Sequence, residues 1–425
     1  MSPISGLRVV VLDDAPYVWW DGRAHAVNAT FHRFLAALLD AAEREGSPVS
    51  LVLVAPVRPA AAAPASLAVD PRIAMVATVP FDGIAGYVRR APVLVARNAP
   101  RLRAALRGAD VILLRLPASN GPLAALAAVA RGVPRVAYVV GSVRDVVAGQ
   151  ERRGAAGPAA RAVAAAYDGA TRLAAAGAPV IVAGADPAGA GIMSSLVAPD
   201  EIRGRGDEPW PAAAGVLRVV YAGRLADGKG LDTLLEAVAI LAGVTGGPGD
   251  ADAAAGVTLD LVGDGPAAPA LRDRAAALGI ADRVRFVGYL AERGPYLAAL
   301  AFADLFVSPS PAEGFPKAVL DAMAAGTPVA AVPAGRLREL ADPDITEAGA
   351  PILPLPAGGA AALASAIRAL VADPAVARRL RVAGTAFVAD HTAPAEAARL
   401  LSRLRAAAST RSRRRGLTGR LRFRP

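Results

Sequence analysis

The 425-residue chain contains no cysteine, which excludes disulfide cross-links, thiolate zinc sites and a cysteine nucleophile. Aromatic residues make up only 4% of it, and histidine occurs three times. His25, His32 and His391 fall at no metal-ligand spacing, so no metal site is expected. No uncharged stretch reaches the roughly 20 strongly apolar residues of a membrane-spanning helix; residues 116–130 come nearest and hold two prolines and an asparagine. Near the N-terminus, Leu7 to Leu12 runs straight into Asp13 and Asp14. That is the pattern of a buried strand reaching its end, not of a secretory leader, and the expectation is a cytoplasmic protein. Lysine is nearly missing too: of 47 basic residues, all but Lys229 and Lys317 are arginine. A sequence that writes arginine wherever a positive charge suffices keeps lysine where a compact, rotatable point charge serves better than a planar guanidinium.

What is present is 54% hydrophobic, much of it alanine, so packing rests on leucine, valine and close-set helices. The length exceeds what one core serves, which favours two domains. Net charge is +10, but seven arginines from Arg411 to Arg424 stand in the last fifteen residues, and without them it is +3. Such a body lacks the broad basic face of a nucleic-acid binder. The tail has two readings: a solvated extension, or a peripheral contact with the anionic inner face of a membrane.

From residue 217 onward, short β-branched runs alternate with helical patterns, as in a parallel sheet covered on both faces. Strands are expected at 217–221, 258–262, 284–287, 305–307, 328–332 and 352–354. Between the first two, Leu231, Leu234, Leu235, Val238 and Leu241 form a helical stripe. The N-terminal half repeats the style, with strands near 7–12, 50–54, 111–114, 135–140 and 180–182 and a helix striped by Phe31, Phe34, Leu35, Leu38 and Leu39. The expected class is α/β, with two doubly wound Rossmann-like domains: 1–200, a linker at 201–216, and 217–385. A terminal helix at 386–407, with the option of crossing back to the first domain, and a basic tail at 408–425 complete the chain. Residues 56–68 and 243–256 read as surface loops.

Ligands of an open α/β sheet bind at the carboxyl ends of its strands, and the unusual clusters fall there. After the first strand of the second half comes Gly223-Arg224-Leu225-Ala226-Asp227-Gly228-Lys229-Gly230. Lys229 then stands at a helix N-terminus, where a cation is disfavoured unless an anion joins it. Backbone N–H groups, Arg224 and Lys229 together suit a diphosphate. Gly263-Asp264-Gly265-Pro266 ends the second strand in a tight turn. No Gly-x-Gly-x-x-Gly opens either half, which argues against a nicotinamide or flavin dinucleotide. After the fourth strand, Glu313-Gly314-Phe315-Pro316-Lys317 leads into a short helix capped by Gly326 and containing Asp321. Glu313 and Asp321 offer two carboxylates to the hydroxyls of a sugar and a ribose. For Asp321 the rival is an i,i+4 ion pair with Lys317, worth about 0.3–0.5 kcal/mol.

These motifs resemble glycosyltransferase family 4, retaining enzymes of GT-B architecture, in which two Rossmann-like domains face each other across a cleft. The likeness covers about 217–390 and rests on the Glu, seven residues, Glu pattern, here Glu313 and Asp321, with Gly223-Arg224-Leu225 and Lys229-Gly230. It implies a nucleotide-diphosphate sugar as co-substrate, with no further cofactor and no metal. By the same likeness Glu313 holds donor-sugar hydroxyls, Asp321 the ribose, and Arg224 with Lys229 the leaving diphosphate. Gly223, Gly263, Gly314, Phe315 and Pro316 line the donor, and Tyr289 and Leu290 lie near the base; Lys317, one of only two lysines, is a candidate for donor or acceptor contact that the pattern alone does not name. The N-terminal half departs from the family pattern, and acceptor-side candidates there are Asp21, Gly22 and His25, in a segment read as a loop, and Gly141 and Ser142. The acceptor class, whether glycan, lipid-linked or small molecule, stays open. The alternatives are a nucleotide-sugar epimerase of the same architecture, which needs acid/base groups that three scattered histidines do not supply, and a non-catalytic sugar-binding or glycosyltransferase-like protein.

Overall fold

A computed structural model of the chain describes residues 6–27, 29–62, 67–141, 157–183, 191–193, 195–205, 208–210, 215–244, 256–311, 317–356 and 358–420. It divides into two compact units, Met1–Leu196 with Ala393–Pro425, and Val197–Thr392.

Among the described residues of the first unit, the strands are β1 (Leu7–Leu12), β2 (Tyr17–Trp20), β3 (Arg23–Ala26), β4 (Val49–Pro59), β5 (Leu67–Ala68), β6 (Ile73–Thr78), β7 (Val111–Leu116), β8 (Arg135–Val139), β9 (Val180–Ala183) and β10 (Gly191–Ile192). The helices are α1 (Ala29–Arg44), α2 (Gly83–Ala105), α3 (Gly121–Ala130) and α4 (Pro158–Ala175). The parallel sheet runs β10-β9-β8-β7-β1-β4, with β6 on the far side of β4. Its central strands are continuous apolar runs because both faces are covered: Val9 to Leu12 and Val111 to Leu114 are fully buried. The chain leaves β1 towards β4 and later returns to its other side as β7, so the strand order reverses between β1 and β7.

In the second unit β11 (Leu217–Ala222), β12 (Val257–Val262), β13 (Val284–Gly288), β14 (Leu305–Ser308), β15 (Val329–Ala331) and β16 (Leu353–Pro354) form a parallel sheet of order β13-β12-β11-β14-β15-β16. Its described helices are α5 (Leu231–Leu241), α6 (Ala268–Ala277), α7 (Arg293–Phe302), α8 (Lys317–Ala324), α9 (Gly359–Ala372) and α10 (Pro374–Asp390). The five stripe residues of α5 are each at most 3% exposed. This strand order is that of a dinucleotide-type doubly wound sheet, and it reverses between β11 and β14. The expected strands of this half are all found, and each unit is a Rossmann-like domain.

Elsewhere the structure corrects the sequence reading. The segment read as an acceptor loop is a β-hairpin: β2 and β3 pair antiparallel, Tyr17 opposite Ala26 and Trp20 opposite Arg23. Asp21 and Gly22 form its two-residue turn, with φ of 48° and 74°, the left-handed pair that an Asp-Gly turn adopts. The stretch 56–68 is not simply a loop, because β4 continues to Pro59 and β5 pairs with β3. No single helix spans 386–407. α10 ends at Asp390 and α11 (Ala393–Arg420) begins after Thr392, since Pro394 has no N–H to continue α10 and suits the first turn of a new helix. α11 belongs to the first unit, where Leu400 and Leu404 enter the same core as Phe34 and Leu38, and its backbone stays helical to Arg420. The polar stretch after Asp200 is tied to the second unit. Trp210 is buried, its indole N–H donating to the Asp304 carbonyl at 2.6 Å, and the Arg203 N–H donates to Ala324 O at 2.7 Å. Among the described residues no single helix is long and apolar enough to cross a membrane.

Candidate functional site

The loops expected to hold a ligand in the second unit meet at the carboxyl ends of its strands. The β11–α5 loop leaves with Gly223, whose N–H donates to Val262 O at 2.9 Å, and Leu225 N donates to Asp264 O at 3.0 Å. The β12–α6 turn thereby lies against it. Gly263 N donates to Gly288 O at 2.8 Å, bringing in the end of β13 with Leu290 and the 74% exposed Tyr289. Two glycines make this approach feasible. At Gly263, φ is 134° and an added Cβ would stand 2.0 Å from Gly223 O; at Gly230, φ is 73° and a Cβ would meet Pro309 O at 2.4 Å. The second contact joins the start of α5 to the β14 loop across the switch point. Gly223, Gly263, Tyr289, Leu290 and the Arg224–Lys229 segment are therefore drawn together, and Lys317 opens α8 directly after the β14 loop. Arg224 is exposed and Lys229 half-buried, immediately before the α5 N-terminus, where backbone N–H groups face outward and the helix dipole favours an anion. Glu313, Gly314, Phe315 and Pro316 lie outside the described residues.

Asp321 has a more committed setting than the motif implies. It is 6% exposed; its carboxylate pairs with Arg293 Nη1 at 2.7 Å and accepts from the Tyr296 hydroxyl at 3.2 Å. Arg293 also forks onto Glu201, at 2.9 and 2.8 Å. Burial pushes the Asp321 carboxyl above its ordinary value and Arg293 pulls it back. Burial also works against the Arg293 charge, but Glu201 and Asp321 hold it above its usual range. The group joins α7, α8 and the 199–201 turn, so Asp321 locks the helix that follows the β14 loop. This buried pairing, not an exposed contact with Lys317, is the structural role set against ribose binding.

In the first unit the switch point carries a polar cluster that sequence reasoning left aside. Asp13 directly follows β1, 1% exposed, paired with Arg115 of β7 at 2.7 Å. Asp14 accepts from the backbone N–H groups of Ser119 and Asn120 and from the Asn120 side chain at 3.3 Å. Asn120 is completely buried and also accepts from the Asn98 amide at 3.2 Å and the Tyr87 hydroxyl at 3.4 Å. The hydroxyls of Ser119 and Tyr167 are 2.9 Å apart. The signal was the Asp13-Asp14 pair at the end of a buried strand, which reads as punctuation until its neighbour, 105 residues on, is known.

Burial lifts the Asp14 carboxyl to about 6, against hydrogen bonds from Asn120 and Ser119 and with help from the Asp13 charge. The folded chain thus holds this proton more tightly than the unfolded one. The associated stability is complete below about pH 4 and lost as pH climbs through about 6. A melting-temperature series across that window should show the decline in the wild type and its absence in Asp14→Asn. Parallel profiles would remove Asp14 as its source.

The acceptor-side candidates fare differently. Asp21 and Gly22 are taken up by the hairpin turn. His25 is 8% exposed on β3, its ring edge-on to Trp20 with centroids 5.8 Å apart, and neither ring nitrogen has a hydrogen-bond partner; it is a packed strand residue, not a loop group. Gly141 follows β8 and is exposed, and Ser142 lies outside the described residues. His32 accepts from Asp70 N at 2.8 Å through Nε2, and burial lowers its pKa, which marks a neutral structural histidine. Asp342 and Asp344 form a turn, with Asp344 N donating to the Asp342 carboxylate. Among the described residues no cluster of three or more metal-ligating side chains is found.

Comparison with known proteins bears on the same region. The lipopolysaccharide core biosynthesis glycosyltransferase LpsE of Rhizobium meliloti is 40% identical over 119 residues, covering 28% of this chain and 30% of LpsE. The matched stretch thus spans less than a third of that relative. Over nearly the whole chain the fold is similar to sucrose-phosphate synthase from Thermosynechococcus elongatus, with a TM-score of 0.63, 20% identity, and 95% and 100% of the two chains covered. It is also similar to HepE of Anabaena in a complex with UDP, with a TM-score of 0.59, 17% identity, and 93% and 99% covered. Residues 217–373, which hold all the donor-side loops described above, match the model of the family described as Glycosyl transferases group 1.

Proposed function

We propose that this protein is a retaining glycosyltransferase that moves a sugar from a nucleotide-diphosphate donor, bound on the second unit, to an acceptor hydroxyl bound on the first. The observation that carries the reading is the meeting of the Gly223–Lys229, Gly263–Gly265 and Gly288–Leu290 loops at the β11/β14 switch point, inside the segment that matches the group 1 family. UDP in the HepE complex supports a nucleoside diphosphate as the donor's leaving part.

In this mechanism the donor diphosphate lies against the α5 N-terminus. Arg224 offers a bidentate fork and Lys229 a point charge to oxygens whose negative charge grows as the glycosidic bond breaks. These cations supply the stabilisation that a metal ion would otherwise give. Glu313 and Lys317 take donor-sugar hydroxyls, and Tyr289 and Leu290 border the base. Asp321 acts chiefly by fixing α8 through Arg293. The acceptor binds at the β1/β7 switch point of the first unit, where Asp14, Ser119, Tyr87 and Tyr167 offer donors and acceptors suited to hydroxyl groups. Asp14, titrating near 6, presents either form to a hydroxyl close to neutral pH.

The test is a thermal-shift panel of UDP- and GDP-sugars. At 100 times its dissociation constant the true donor adds about 2.7 kcal/mol of stability, and that shift should vanish in Lys229→Ala. A panel without any shift, or a shift indifferent to Lys229, overturns the donor assignment.

A further inference from the structure

Without the tail the net charge is only +3, but it is unevenly spread over the first unit. Alternate side chains of a strand point to opposite faces of a sheet, and β1 divides that way. Val10 and Leu12 share one core with Leu102 of α2, Ala124 of α3 and Ala174 of α4, whereas Val9 and Val11 share the other with Phe34 of α1 and Leu400 of α11. α3 touches both α2 and α4. These three helices therefore form one continuous layer on one face, and α11 lies on the opposite face. The layer holds seven arginines and a single carboxylate, Asp168. The stretch 142–156, which lies outside the described residues, has three arginines and two acids and does not reverse that sign.

α2 is the unusual element. Arg89, Arg90, Arg97, Arg101 and Arg103 are all exposed, and among the described residues none of them has a carboxylate partner. Leu94, Asn98 and Leu102 face inward. At 3.6 residues per turn, Arg90, Arg97 and Arg101 then line one flank of the outer surface and Val88 and Val95 the other, with Arg89, Val93 and Arg103 between them. Large aliphatic side chains stand in water across the whole layer: Val88 is 63% exposed, Leu126 of α3 67% and Leu173 of α4 66%. A surface that covers them must be apolar and anionic at once. An isologous contact with a second copy would set arginines against arginines, and a hydrophilic polyanion would leave the aliphatic groups in water. An anionic bilayer meets both needs, with phosphate oxygens for the guanidinium forks and an acyl boundary for the aliphatic chains.

We propose that the outer surface of α2, α3 and α4 docks on an anionic lipid bilayer, the arginines of α2 taking lipid phosphates while Val88, Val93, Leu126 and Leu173 enter the headgroup boundary. The contact lies on the face away from α11, so the arginines that end the chain do not carry it. This assignment does not depend on the glycosyltransferase reading.

The experiment sediments the full chain with vesicles of phosphatidylcholine alone, or of equimolar phosphatidylcholine and phosphatidylglycerol, over a range of sodium chloride. The wild type is expected to bind the anionic vesicles selectively, and less tightly as salt rises. A variant carrying Arg89→Gln, Arg90→Gln and Arg97→Gln should lose at least about tenfold in apparent affinity, since one arginine beside an anionic surface contributes about fivefold. Arg413→Gln, Arg414→Gln and Arg415→Gln together, in the tail, should leave vesicle binding as it is. Val93→Gln with Leu126→Gln keeps every charge; it should weaken vesicle binding about fivefold, through lost apolar burial, and leave retention on heparin unchanged. The substituted positions of α2 and α3 are exposed, so an unaltered melting temperature confirms that these variants are folded. Equal binding to the two kinds of vesicle, a loss that follows the tail variant and not the α2 variant, or full vesicle binding by Val93→Gln with Leu126→Gln overturns the proposal, the last in favour of a soluble polyanion.

Discussion

Lys229→Ala and Glu313→Ala are each expected to lower turnover at least about tenfold with the fold intact, because each removes a contact that strengthens as the leaving diphosphate and the reacting sugar gain charge. For Lys229 the geometric case is direct. It precedes an α5 N-terminus whose entry residue, Gly230, lies so close to Pro309 O that no side chain fits there, so the loop is held in one place relative to the β14 loop. A lysine at the positive end of a helix is electrostatically adverse without an anion. Alanine is expected to remove the contact with the diphosphate while the loop backbone, held by Gly230 against Pro309 O, keeps its place. Steady-state kinetics, with circular dichroism as the check on folding, separates the two. If kcat falls while the donor KM is kept, the contact belongs to the transition state; if only KM rises, Lys229 binds substrate and transition state alike. Unchanged kinetics in both variants would remove the site assignment.

The second large effect is on stability. Asp321→Ala leaves Arg293, with a side chain 22% exposed, short of one of its two carboxylates and the Tyr296 hydroxyl short of its acceptor. Breaking a buried ion pair by removing one partner costs about 3–5 kcal/mol. For a unit of this size, that lowers the melting temperature by roughly 6–20 °C. Glu201 remains to share Arg293, which places the expectation at the lower end of that range. The same variant decides between two roles for one residue. A ribose contact predicts an ordinary melting temperature and a raised donor KM, whereas the Arg293 lock predicts a destabilised protein in which any kinetic loss follows from a displaced α8. Arg293→Met, which touches no expected ligand, should reproduce the destabilisation if the lock is the correct account.

How far the sequence reached follows from the range of each interaction. The strands of the second unit and the stripes of α1 and α5 were legible, because a parallel strand declares itself by a short apolar run and a helix by a 3.6-residue spacing. The donor loops were legible for the same reason: Gly223 to Gly230 and Gly263 to Pro266 carry their turn chemistry in consecutive residues. The Asp21-Gly22 hairpin was equally local. Its two-residue turn between short β-prone runs is a direct signal, and reading the segment as a loop misplaced Asp21, Gly22 and His25.

What the sequence by itself determined was the class of the protein: alternating strands and helices, glycine turns at strand ends, and two lysines kept among arginines at the openings of two helices. The tertiary structure decided which of those ends meet. Asp14 reaches Ser119 only because β7 returns beside β1, and Asp321 is closed by Arg293 only because α7 and α8 pack together. Local patterns fix elements through spacing and turn geometry. Pairing between residues a hundred or more positions apart depends on strand order, and no short run of sequence states that order.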